Sequence, residues 1–165
     1  MAKNLITNYS TARMRFSIAS LVLMLLFVRD KALMQVLSEI DDSSEIAVSV
    51  LCTRDGFPMA YSINNSEKGP DIDLLTPMAA VVHATSKKVI EDLDAGYHRS
   101  SIIESSKGTV LIRDITDETI LCCYIPKSKD ELGIRVRSYM LGVALSTMER
   151  IATKIRKYLF SLKMR

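Results

Sequence analysis

The chain has 165 residues, 48% of them hydrophobic and 25% charged, which suits one domain of ordinary size with a real core. The net charge of +3 hides an acidic middle, because residues 30–148 hold 12 basic against 18 acidic side chains, whereas residues 1–29 hold four basic side chains and no acid. This distribution excludes a nucleic-acid-binding core, which needs clustered positive charge, but leaves basic ends that can meet an anionic membrane or partner.

The first segment, Phe16 to Val28, is a run of 13 residues that arginines bracket on both sides. It is shorter than the roughly 17–25 residues of a spanning helix, and no small-x-small cleavage site follows as in a signal peptide. Three interpretations stay open: a buried or partner-facing helix, a membrane-associating segment, and an upstream extension preceding a start at Met24 or Met34. We assign residues 1–29 to an apolar, basic extension and residues 30–165 to the folded domain.

A helix and a hairpin are predicted next. Residues 30–41 carry a helical apolar stripe, and the β-branched stretch 45–53 predicts a strand. Asp55-Gly56 is a strong hairpin signal, because glycine accepts the positive φ of such turns, and 57–63 is the returning strand. Pro58 lacks an N–H and is expected at a strand start or on a sheet edge.

The stretch "DIDLLTPMAAVVHATSKKVIEDLDAG", residues 71–96, predicts the central helix. Thr76 is the expected cap, with Pro77 at the first helical position and Gly96 at the end. Two apolar rows run along its first half, whereas a surface helix needs only one. The second row predicts cover from another element or molecule, and the small residues Ala79, Ala80, Ala84, Thr85 and Ser86 would let a second helix come close.

Strands 98–105, 109–115 and 119–125, joined by tight turns, predict an antiparallel meander. A capping box at residues 128–131 opens a last helix that runs to about Leu162 and ends basic and amphipathic. The order α-β-β-α-β-β-β-α predicts an α+β fold, in which helices sandwich a five-stranded antiparallel sheet.

Cysteine and histidine usage gives no catalytic or metal signature. The three cysteines form no C-x-x-C pair, and Cys122 and Cys123 would point to opposite faces of a strand. We predict reduced, at least partly buried thiols in a reducing cytosol. His83 is expected at a pairing surface or in a polar contact, and His98 is expected to be exposed. Neither a Cys–His pair nor a metal site can be argued, "ESSKG" is not a phosphate-binding loop, and no cofactor is expected.

The order of elements and the motifs together resemble the roadblock family, named for a dynein light chain, over about residues 30–155. The "RDGFPMA" turn and the Leu132-Gly133-x-Arg135 pattern that opens the last helix carry most of the specificity. The apolar segment before Arg29 and the basic end after Ile151 exceed the family's minimal domain.

The resemblance implies a profilin- and longin-like fold that pairs into homodimers or heterodimers with another roadblock protein, through central helices and joined sheet edges. Such dimers are platforms for partners that include small Ras-like GTPases, and they have no catalytic residues in the usual sense. Carried to this chain, the resemblance assigns the dimer interface to Met78, Val81, Val82, Thr85, Ser86, Arg99, Ser101 and Ile103.

We therefore expect a non-enzymatic, cytoplasmic, dimeric scaffold that binds a small Ras-like GTPase. One alternative is a GTPase-activating protein that acts by rearranging its partner or through an arginine finger, for which Arg54 at the hairpin tip is the candidate partner contact and Arg99 a second candidate. The other alternative is a tether to a membrane or a motor-like complex through residues 13–28 or 151–165, which predicts salt-sensitive binding to anionic liposomes.

Overall fold

The computed structural model of the protein describes residues 31–41, 46–64, 70–127 and 134–164. The elements are, in chain order, α1 (Lys31–Asp41), β1 (Val48–Thr53), β2 (Pro58–Ile63), α2 (Ile72–Asp92), β3 (Ser100–Glu104), β4 (Gly108–Asp114), β5 (Thr119–Pro126) and α3 (Ile134–Lys163). This order and the α+β class confirm the prediction. The capping box at 128–131 and the apolar segment at 16–28 lie outside the described residues.

The five strands form one antiparallel sheet in the order β2-β1-β5-β4-β3. The β1–β2 hairpin turns at Gly56 with a φ of 86°, as the Asp55-Gly56 signal predicted. The ladder between β1 and β2 shifts register between Leu51 and Cys52, opposite Pro58 at the strand start. This bulge places proline at the end of an edge strand, where its missing donor disturbs the ladder least.

The sheet separates two hydrophobic clusters. On one face, α1 and α3 pack over side chains such as Leu51, Leu121 and Cys123. On the other face, α2 packs over Val50, Cys52 and Cys122. All three cysteines are free and buried, and Cys122 and Cys123 face opposite clusters, so the predicted burial and the predicted opposite orientation are confirmed.

The predicted cap of α2 is wrong. The helix begins at Ile72, and the side chain of Asp71 accepts a hydrogen bond from the Asp73 N–H at 3.0 Å, the bond that defines an N-cap. Thr76 is buried, and its hydroxyl donates back to the Ile72 carbonyl at 3.1 Å. Pro77 therefore lies inside the helix, where its missing N–H costs one backbone hydrogen bond near the start.

The end of α2 also differs from the prediction. The helix ends at Asp92, with Leu93 as its C-cap, rather than at Gly96. Asp94 adopts a φ of 50°, and Gly96 a φ of 89°. Aspartate tolerates the left-handed region through its short polar side chain, so the chain leaves the helix before it reaches the glycine. Within the described ranges, no helix is both long and apolar enough to cross a membrane.

Candidate functional site

The two faces of the sheet are unequally covered. Five strands spaced about 4.8 Å apart span about 19 Å between the outer strand axes, whereas a helix with its side chains is about 10–12 Å wide. Two helices, α1 and α3, can cover one face, but α2 alone cannot cover the other. Apolar side chains on the α2 face are therefore left exposed on both sides of the helix.

The outer face of α2 presents a continuous apolar row. Met78 and Val81 are 54% and 61% exposed, and Leu74 and Val89 extend the row at spacings of three and four residues through Thr85. The opposite side of the helix buries Leu75, Thr76, Ala79, Ala80 and His83 against the sheet. One apolar side of α2 is buried on the sheet and the other is uncovered. An exposed apolar row of this kind is typical of a protein–protein contact surface.

The polar groups on this row are already satisfied or lie beyond it. The Thr85 hydroxyl donates to the Val81 carbonyl at 2.9 Å, so a contact that covers Thr85 need not supply a new partner for that group. Asp73 lies in the first turn, residues 74–86 carry no Asp, Glu, Lys or Arg, and in the last turns Lys87 pairs with Glu91 at 3.8 Å and Lys88 pairs with Asp92. The stretch 74–86 can thus be covered at little desolvation cost.

The edge strand β3 continues the same surface. It pairs with β4 on one side and ends the sheet on the other. Ser101 and Ile103 lie opposite Ile112 and Val110, which belong to the cluster under α2, so both face the α2 side. Ile102 lies opposite Leu111 and faces away. Ile103 is 40% exposed, and Arg99 is exposed just before the strand.

The structure brings most of the predicted interface residues together but separates some of them. Met78, Val81, Thr85, Arg99 and Ile103 are exposed, whereas Val82, Ser86 and Ser101 are half-buried. Val82 packs at the margin of the cluster under α2, so it borders the row.

Ala79 was expected to help a second helix approach, but it is 2% exposed and faces the sheet. Helical spacing also predicted Val89 in the same row as Ala79, whereas it is exposed in the outer row with Thr85. The prediction missed Tyr61 and Ile63 of β2, which are exposed at the opposite edge of the α2 face. The signal for Val89 was its position four residues after Thr85. Burial of a small residue such as Ala79 leaves no comparable signal.

A polar cluster lies beneath the α2 row. Nε2 of His83, on the sheet side of α2, lies 2.6 Å from Oδ1 of Asp114 at the end of β4. Arg54, at the hairpin tip, donates to the same oxygen at 3.1 Å and to the Thr116 carbonyl at 3.3 Å. The predicted partner-contact arginine is thus folded back onto its own domain.

The prediction that His98 is exposed is wrong. Its side chain is 4% exposed, and its ring lies between Asp114 and the Ser101 hydroxyl, with Nε2 2.9 Å from Oγ. His83, with a side chain 2% exposed, makes a polar contact, which was one of its two expected settings. Burial lowers the pKa of His83, although the Asp114 carboxylate opposes that shift, so the ring is neutral at pH 7 and donates Nε2–H to Asp114.

A groove of about 620 Å³ lies on the side of the sheet away from α2. Its lining includes the cations Arg156 and Lys157 and apolar side chains, among them Met59, Ile115, Leu159 and Phe160. Because it lies beside α3, contacts made through α2 leave it open.

Comparison with known proteins gives the family. The Roadblock/LC7 domain profile matches residues 33–124, more than half of the chain. No curated protein matches significantly.

Among solved structures, MglB in a tetrameric arrangement has a TM-score of 0.66 at 16% identity, covering 77% of this chain and 87% of that one. MglB of Myxococcus xanthus has a TM-score of 0.65 at 10% identity, covering 81% and 98%. A Roadblock/LC7 domain from Streptomyces avermitilis has a TM-score of 0.62 at 16% identity, covering 77% and 97%. These structures share the fold, and the profile match shows that the chain belongs to the Roadblock/LC7 domain family, a family of GTPase-associated regulatory and scaffold domains.

Proposed function

We propose that this protein is a non-enzymatic dimeric scaffold, which pairs through the outer face of α2 and the edge strand β3 and binds a small Ras-like GTPase. The observation that carries the pairing is the exposed row Leu74, Met78, Val81, Thr85 and Val89 on a sheet face that one helix leaves half covered. A second copy of the chain has the same face, so two such surfaces can cover each other about a two-fold axis.

Edge geometry supports the same arrangement. Ser101 and Ile103 of β3 face the α2 side, so helix and strand can enter one contact. Joining two β3 edges would pair backbone groups that β4 does not reach. It would also bring the exposed Ile103 of each copy under apolar cover. The partner in this contact is a second copy or another roadblock protein.

The pairing is tested by Thr85→Glu against a matched control, Thr153→Glu. Both threonines are exposed in helix interiors, and both hydroxyls donate to the carbonyl four residues earlier, at 2.9 and 3.0 Å. Only Thr85 lies on the α2 row. A glutamate in the contact would be a buried unpaired charge, costing roughly 3–5 kcal/mol. We expect light scattering to show a dimer for the wild type and Thr153→Glu and a monomer for Thr85→Glu.

A wild-type monomer that also fails to pair with a second roadblock protein of the same organism would refute the pairing. A dimer that survives Thr85→Glu would move the contact to another surface. Circular dichroism shows whether Thr85→Glu keeps its helix, which its exposed position predicts.

The GTPase is tested separately, by affinity capture from a lysate of the source organism with the full chain as bait. We expect a small Ras-like GTPase whose recovery differs between a non-hydrolysable GTP analogue and GDP. Capture of roadblock or motor proteins alone, with purified small GTPases of the organism showing no binding, would contradict GTPase binding and leave a structural assembly. Thr85→Glu used as a second bait shows whether binding needs the dimer.

A further inference from the structure

The chain has two histidines, and the fold brings both to the same carboxylate. His83 reaches Asp114 Oδ1 from α2 at 2.6 Å, and Nδ1 of His98, just before β3, lies 3.4 Å from Oδ2. The two rings meet edge to face with their centroids 5.2 Å apart. One ligand-type atom from each of the three residues lies within 4.8 Å of the others.

We propose that His83, His98 and Asp114 form a binding site for a divalent transition-metal ion of the zinc type. Two imidazole nitrogens and one carboxylate oxygen are a ligand set that Zn²⁺ takes in proteins, with a fourth position left for solvent. Ligand atoms around a tetrahedral zinc lie about 3.3 Å apart, given bonds near 2.0–2.1 Å. Nδ1 of His98 and Oδ2 of Asp114 are already 3.4 Å apart, and one such atom of each of the three residues lies within 4.8 Å of the others, so side-chain shifts of up to about 1.5 Å would admit the ion.

The two oxygens of Asp114 are unequally occupied. His83 and Arg54 both approach Oδ1, at 2.6 and 3.1 Å. Oδ2 faces His98 at 3.4 Å, which is too long for a strong hydrogen bond. Oδ2 is therefore the oxygen with capacity for an ion, while Arg54 can remain hydrogen-bonded to Oδ1 and hold the carboxylate in place.

The surroundings of His98 also suit a ligand. When Nδ1 of a histidine binds a metal, Nε2 carries the proton and needs an acceptor. Nε2 of His98 lies 2.9 Å from the Ser101 hydroxyl, which can fill that role. Both rings are almost fully buried, whereas the side chain of Asp114 is 24% exposed. An ion from solution can therefore reach the partly exposed carboxylate first and become buried when it binds the two rings.

The test uses the full chain after chelator treatment, with Zn²⁺ as the titrant in calorimetry and Co²⁺ as a spectroscopic substitute. We expect one saturable equivalent of Zn²⁺ per chain and a rise in the thermal midpoint with zinc concentration. Co²⁺ should give a spectrum of nitrogen and oxygen ligands without a thiolate charge-transfer band, which excludes the buried cysteines as ligands. In proton NMR, the ring signals of both histidines should shift together up to one equivalent.

Variants locate the site. His98→Gln should abolish saturable binding, and Ser101→Ala should weaken it roughly 10-fold through loss of the acceptor. Asp114→Asn should weaken binding, whereas Asp117→Asn, the same change on an exposed turn three residues later, should leave it unaltered. Zinc binding that persists in His98→Gln, or that saturates without moving both histidine signals, would overturn the proposal. So would the absence of saturable binding in the wild type, a result that needs no variant to fold.

Discussion

Gly56, in the β1–β2 turn, packs directly against Pro77 in the first turns of α2. A Cβ added at Gly56 would lie 2.6 Å from the Pro77 Cα, and the glycine has a φ of +86°. Gly56→Ala should therefore meet both backbone strain, about 1–2 kcal/mol, and a clash with a rigid ring. We expect the free energy of unfolding to fall by about 2–4 kcal/mol in urea denaturation.

Gly96→Ala is the control for this prediction. Gly96 has nearly the same φ, +89°, but a Cβ there would have open space around it. It should show the strain alone, so the difference between the two variants measures the contact between the hairpin and α2. Equal losses in the two variants would show that Pro77 moves aside easily.

The helices and strands could be predicted from the sequence because each depends on local signals, such as the periodicity of α2 and the glycine of the hairpin. The start of α2 could not, because Asp71 and Thr76 are both residue types that favour an N-cap, and the burial of Thr76 against the sheet decides between them. The surroundings of His98 depend on Asp114, which β4 brings to it from 16 residues away, and no local pattern encodes that contact. The outer row of α2 was predictable from spacing, whereas the burial of Ala79 depended on how the helix rotates over the sheet.

Neighbouring isoleucines on β3 can test which face of the sheet enters the dimer. Ile102 and Ile103 are 44% and 40% exposed, but their ladder partners place them on opposite faces. Ile103→Lys should weaken dimerisation, because it puts a charge beside α2 in the contact. Ile102→Lys should weaken it much less. Sedimentation equilibrium gives both dissociation constants, and a stronger effect at Ile102 would assign pairing to the α1 and α3 side.

Two buried thiols should make the protein sensitive to alkali. Burial raises the pKa of Cys52 from 9.0 to about 12, and burial together with nearby Cys52 raises that of Cys122 as well. The unfolded chain loses these protons near pH 9 while the folded chain keeps them, so stability is full below pH 9 and falls as the pH rises toward 12.

Each thiol should contribute about 1.4 kcal/mol of lost stability per pH unit in this window. Urea midpoints measured at pH 8, 9 and 10 give the slope, and Cys52→Ala should show a smaller one. A slope unaffected by Cys52→Ala would mean that other groups dominate the alkaline transition. At pH 8, the native protein should also resist alkylation at all three cysteines until denaturant is added.

Arg54 should matter for stability rather than for catalysis. Its guanidinium donates hydrogen bonds to Asp114 and to the Thr116 carbonyl, and the side chain is 27% exposed. Arg54→Ala should therefore lower the free energy of unfolding by on the order of 1 kcal/mol.

An arginine finger must instead leave these contacts and reach a bound nucleotide. We expect single-turnover GTP hydrolysis by a bound GTPase to proceed at the same rate with the wild type, with Arg54→Ala and with Lys107→Ala, a change at another exposed hairpin turn. If the wild type and Lys107→Ala accelerate hydrolysis and a folded, GTPase-binding Arg54→Ala does not, the protein is a GTPase-activating protein that donates this arginine.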